Sequence, residues 1–98
     1  GTFCIDSNER TAQAWLATKD TCRGLNYTEG RAFMCGHDEW YTACQDAPAG
    51  LNNMTNGWEW VSEFPVDGSA IIAGGGGCSE LSTDDSVNGA FVFRCCIR

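Results

Sequence analysis

The chain has 98 residues, thirteen acidic against six basic side chains, a net charge of −7 and seven cysteines. One domain of this size removes roughly 60–70% of its unfolded surface from water, and its negative charge repels phosphate backbones and anionic lipid, which sets nucleic acid aside as a partner. No CxxC pair of the zinc or redox kind is present, so the cysteines read as a disulfide framework in an oxidising, extracellular setting.

Residues 2–6, TFCID, alternate apolar and polar and predict a first strand. Ser7-Asn8-Glu9-Arg10 then supplies a helix entry, and Ala12, Trp15, Leu16 and Cys22 recur on one side of a helix over 10–23 that Gly24 ends. Lys19 interrupts that side and is expected to snorkel to water. Residues 31–35 read as a short extended segment running into a second helix, with Gly36 as N-cap, Glu39 three residues on, Trp40 and Cys44 sharing a face, and an end near Ala47 before Pro48.

The Gly, Asn, Pro and Thr of 48–57 predict a loop, and strand-like runs follow at 58–64, 69–73 and 90–97. A strand, two helices and then a packet of strands argue for an α+β domain spanning 1–98. In the last strand Phe91, Phe93, Cys95 and Ile97 point one way and Val92, Arg94, Cys96 and Arg98 the other. Cys95 and Cys96 should therefore bridge to different partners, one in the core and one near the surface.

Chemistry-bearing residues are few. His37, the only histidine, falls in the first turn of a helix and reads as a surface residue, although a metal site with Cys35 is conceivable. Asp84-Asp85 reads as a solvated pair in a Ser/Thr/Asp loop, not as an acid/base couple. Gly74 to Gly77 predicts close backbone approach or a bulge against Trp58 or Trp60, because no following helix with Lys and Ser or Thr completes a phosphate loop. In NMTNGWEWVSEF, alternation puts Trp58 and Trp60 on one face and Glu59 on the other, so the tryptophans read as core. Asn26 and Asn53 begin N-glycosylation sequons.

Five segments, taken in order, resemble the formylglycine-generating-enzyme-like (sulfatase-modifying-factor) branch of the C-type-lectin fold. FCIDSNERT looks like the family's opening strand, and GRAFMCGHDEWYTAC like its Thr-x-x-Glu-Trp-x-x-Ala segment. GLNNMTNGWEWVSEF is similar to Gly-Leu-x-Asp-Met-x-Gly-Asn-Val-Trp-Glu-Trp, AIIAGGGG to Val-x-Arg-Gly-Gly-Ser, and AFVFRCC to the closing Gly-Phe-Arg-Cys. The resemblance implies two helices packed on a small twisted antiparallel sheet, with the first and last strands adjacent. It also implies a bridge from the end of the first helix to the last strand, Cys22 to Cys95. Cys4, Cys35, Cys44, Cys78 and Cys96 would form the remaining pairs and leave one odd thiol.

The family's oxidase holds copper on two thiolates between the Gly-Gly-Ser strand and the closing Phe-Arg-Cys, and soft copper(I) needs both. Here that interval contains only Cys78, so the expectation is a short, non-catalytic member. The resemblance points instead to an extracellular recognition or adhesion module, the C-terminal part of a longer or processed protein. It would bind a glycan or protein ligand through loops bearing Asn52, Asn53, Asn56, Tyr27 and Tyr41. Calcium in the family lies near the Gly-Asn-Val-Trp-Glu-Trp turn, which maps to Asn56 and Glu59, although one residue is missing between Met54 and Trp58. Glu59 is otherwise a turn-bracing carboxylate. The alternative is a cap or assembly unit of a surface fibre, a trimer or a covalent dimer through the odd cysteine.

Overall fold

The computed structural model describes residues 3–28, 30–63, 70–84 and 89–97. In chain order the elements are β1 (Cys4–Ile5), β2 (Arg10–Gln13), α1 (Trp15–Arg23), β3 (Ala32–Met34), α2 (His37–Asp46), β4 (Asn56–Trp60), β5 (Ala70–Gly75), β6 (Leu81–Asp84), β7 (Phe91–Phe93) and β8 (Cys95–Ile97). The α+β class and the two helices agree with the sequence. The expected strand ends at 2, 64 and 69, together with Asp85 and Arg98, lie outside the described residues.

The first helix is shorter than expected. Residues 10–13 are drawn into a strand paired antiparallel with β7, Arg10 opposite Phe93 and Gln13 opposite Phe91. Sheet pairing there overrides a weak helical propensity. Once α1 starts at Trp15, its buried row is Trp15, Thr18 and Cys22. Leu16, expected in the core, is rotated off that row and is 65% exposed. Lys19 is exposed, with its ammonium 5.5 Å from the Trp15 ring centroid.

The second helix matches closely. The Gly36 N–H donates to Glu39 Oε1 at 2.8 Å, and Ala47 closes the helix in the left-handed region at φ 44°. Trp40, Ala43 and Cys44 are its buried side chains.

The strands form two sheets: β1-β8-β3, and β2-β7-β4-β5-β6. The first and last strands pair antiparallel, Cys4 opposite Ile97 and Ile5 opposite Cys96. Two features depart from one antiparallel sheet: β4 and β7 run parallel, and the expected strand over 90–97 is broken at Arg94, where the chain leaves one sheet for the other. Strand β6 was also not expected. It pairs with β5 from Ala70 opposite Asp84 to Ala73 opposite Leu81, which puts Asp84 at a strand end instead of in a loop. LSTD lies at the edge of its sheet with Leu81 exposed, so it has no apolar alternation to announce a strand.

Three disulfides tie these layers: Cys22–Cys95, Cys35–Cys96 and Cys44–Cys78. Cys4 is a free, exposed thiol. The adjacent cysteines do take different partners, but both are buried, Cys95 at 3% and Cys96 at 0% exposure. The reason is that β8 is the central strand of its sheet, and each of its faces carries a hydrophobic cluster. Cys22 and Cys95 lie with Trp15, Trp60 and Phe93, whereas Cys35 and Cys96 lie with Trp40, Met54 and Val61. Closing a loop of 73 residues, Cys22–Cys95 stabilises by about 4 kcal/mol in the chain-entropy picture.

The glycines of β5 fit the expectation of close approach. A Cβ on Gly75 would fall 2.3 Å from Trp58 Cε2, and one on Gly74 would fall 2.5 Å from the Met54 carbonyl oxygen and 2.7 Å from Trp40 Cζ2. Trp60 is buried and Trp58 packs against the same cluster, so both belong to the core.

Candidate functional site

Arg94 is the organising residue. It sits at the switch between β7 and β8, is 1% exposed, and sends its guanidinium into the end of the molecule where two loops meet. Its Nε donates to both oxygens of Glu59 at 3.0 and 3.3 Å. Nη1 donates to the carbonyls of Asp6 and Ser7 at 3.0 and 2.9 Å, and Nη2 donates to the carbonyl of Asn52. One planar cation thus satisfies backbone acceptors from two chain segments 45 residues apart in the direct sequence, which a Lys point charge could not do with the same fork geometry.

Glu59 is fully buried on the face of β4 opposite Trp60, and Trp40 Nε1 adds a second donor at 3.3 Å. Burial raises the Glu59 carboxyl to about 6 even though Arg94 and Trp40 pull it down.

Above this ion pair the loops are laced together. The Asn52 N–H donates to the Ser7 carbonyl at 2.8 Å, and its side-chain amide donates to Asn8 Oδ1 at 3.0 Å. Asn53, at φ 62°, donates from its amide to Glu9 Oε1 at 2.9 Å. Asp6 anchors the other flank: its carboxylate takes Arg10 at 2.6 and 3.1 Å and the Cys95 N–H at 2.7 Å. Ser7, Asn8, Asn52 and Asn53 remain exposed. The result is a polar surface with a fixed backbone.

The structure therefore brings Asn52 and Asn53 together with Asn8 and Glu9, residues the sequence did not single out. Asn56 is exposed at the start of β4. Tyr27 is 41% exposed and borders a cavity of about 210 Å³ with Cys4, Asp6 and Ser7. Tyr41 lies on α2, 37% exposed, with its ring 5.9 Å from that of His37.

For calcium, the expected pair is divided: Asn56 is at the surface, and Glu59 is committed to a guanidinium and an indole. Among the described residues, no three metal-ligating side chains converge. The conceivable Cys35–His37 metal site is overturned, because the Cys35 sulfur is bonded to Cys96. His37 is also not a plain surface residue. It is half-buried, and its Nε2 is enclosed without a partner among the described residues. Cys78, the one cysteine of the interval that would carry copper, is bonded to Cys44.

Arg94 and Asp6 are the residues that sequence reasoning missed as site-builders. An arginine between apolar neighbours in AFVFRCC was the available signal, since a charge inside such a run is placed at strong cost unless it is paired. Three disulfides in a small domain are compatible with an extracellular protein, and no helix among the described residues is long and apolar enough to cross a membrane. No protein-family model, no curated protein and no solved structure matches this chain.

Proposed function

We propose that the chain is a non-catalytic, extracellular recognition module of C-type-lectin-like architecture, binding a glycan or protein ligand through the paired loops 6–10 and 50–56. The observation that carries this reading is the Arg94 fork. It fixes the backbones of both loops from below and leaves their serine and asparagine side chains at the surface. Loops held in advance lose less conformational freedom on binding, and amide side chains offer adaptable hydrogen bonds to hydroxyl-rich or peptide ligands. The non-catalytic half rests on Cys78, whose sulfur is engaged with Cys44 where a copper oxidase needs a thiolate pair.

A second reading, an assembly unit of a surface fibre, is favoured by Cys4, a free thiol on the edge strand β1. Non-reducing native mass spectrometry followed by a glycan array on the intact species separates the two. A monomer that binds glycans supports recognition. A Cys4-linked dimer or a stable trimer with no ligand supports assembly.

A further inference from the structure

A different face carries the positive charge. Of the basic side chains, Arg10 is paired with Asp6 and Arg94 with Glu59, and Arg98 is outside the described residues. The other three, Lys19, Arg23 and Arg31, are exposed and form no ion pair among the described residues. They are not scattered. Lys19 and Arg23 follow Trp15 at i+4 and i+8 along one side of α1, and with Phe33 and Ser62 they line a cavity of about 150 Å³. Arg23 also borders a second cavity of about 290 Å³, which Arg31 lines as well.

Two aromatic rings complete the arrangement: Lys19 Nζ lies 5.5 Å from the Trp15 centroid, and the Arg31 guanidinium carbon lies 5.8 Å from the Phe33 centroid. In a chain of net charge −7, three cations with no ion-pair partner among the described residues, around two hollows that share Arg23, form a local positive site. The surrounding field disfavours polyanions that would spread over the whole protein, such as nucleic acid, and favours a short ligand whose anionic groups fit this patch alone.

We infer that the groove between α1 and β3 binds a short anionic saccharide, its sulfate or carboxylate groups held by Lys19, Arg23 and Arg31 and its apolar C–H face against Phe33. Arg guanidinium forks match oxyanions bidentately, and Lys supplies a mobile point charge between them. Arg23 stands at the junction of the two hollows, so a saccharide of several units can extend from one into the other. This inference goes beyond the recognition reading: it adds a ligand site on the helix face, separate from the asparagine loops.

The test is calorimetric titration of the whole domain with a sulfated heparin tetrasaccharide, its desulfated carboxylate-only counterpart, neutral maltotetraose and inorganic sulfate. Expected are binding of one or both anionic tetrasaccharides, none of maltotetraose or inorganic sulfate, and weakening by about tenfold or more in K19Q/R23Q at unchanged melting temperature. K19R/R23K should restore most of the affinity. Anionic binding unchanged in K19Q/R23Q would overturn the inference, as would binding of neither tetrasaccharide. Binding of maltotetraose that is lost in N52A/N53A, with neither anionic tetrasaccharide bound, would overturn it while leaving the recognition reading intact.

Discussion

At the loop end of the molecule every described cation has an acid: Arg94 faces Glu59, and Arg10 faces Asp6. Along α1 and β3, Lys19, Arg23 and Arg31 stand over aromatic rings or open hollows with no ion-pair partner among the described residues. The difference separates charge used to hold the fold from charge available to a ligand. A buried guanidinium with a carboxylate and three carbonyls around it is structural, because its removal takes the counter-ion from Glu59 and a donor from each carbonyl, leaving, among the described residues, Glu59 only Trp40 and Ser7 only the Asn52 N–H. An exposed cation beside a hollow holds no such set of buried acceptors and is replaceable at little cost to the fold.

The largest expected effect lies on the structural side. Arg94→Met leaves the buried Glu59 carboxylate without its counter-ion and takes a donor from three loop carbonyls, and should lower unfolding free energy by about 3–5 kcal/mol in a urea melt. Next is the pH dependence of Glu59. Its folded carboxyl, near 6, lies above its ordinary 4.5, so the native state binds the proton more tightly than the unfolded chain does. The Glu59 contribution to stability should therefore be fully present below about pH 4.5 and fall by about 2 kcal/mol as pH rises from 4.5 to 6. Glu59→Gln should flatten that slope, measured by urea midpoints across the interval.

Gly75→Ala pushes a methyl into Trp58 and should cost about 1–3 kcal/mol, confirming by thermal melting that this tryptophan is packed and not a contact platform. Replacing Asn52 and Asn53 by Ala should cost least, about 1 kcal/mol, since both are exposed and the loss is confined to two surface hydrogen bonds and the positive φ of Asn53. Any loss of ligand in that variant would assign recognition to the loops.

Much of this organisation is legible in the sequence. Capping residues mark α2, and the alternation through Trp58 and Trp60 marks their burial. The Cys22–Cys95 bridge and the pairing of first and last strands followed from the lectin-like resemblance, not from spacing. What was hidden depends on non-local partners. Residues 10–13 read as helix because their competing partner, β7, lies far along the chain. LSTD was silent because an edge strand with an exposed leucine needs no alternation. Arg94 looked like one more outward-facing strand residue until the break after Phe93 turned it inward. The cationic groove was hidden differently: Lys19 and Arg23 are adjacent only once α1 is known to run from Trp15 and to lie against β3.

The most direct test of the division between structural and available charge is a side-by-side urea unfolding of R94M and K19Q/R23Q against the parent domain. A loss of about 3–5 kcal/mol for R94M beside a change within about 0.5 kcal/mol for K19Q/R23Q is the predicted outcome. Comparable losses in the two variants would contradict it, because the α1 cations would then be holding the fold as Arg94 does.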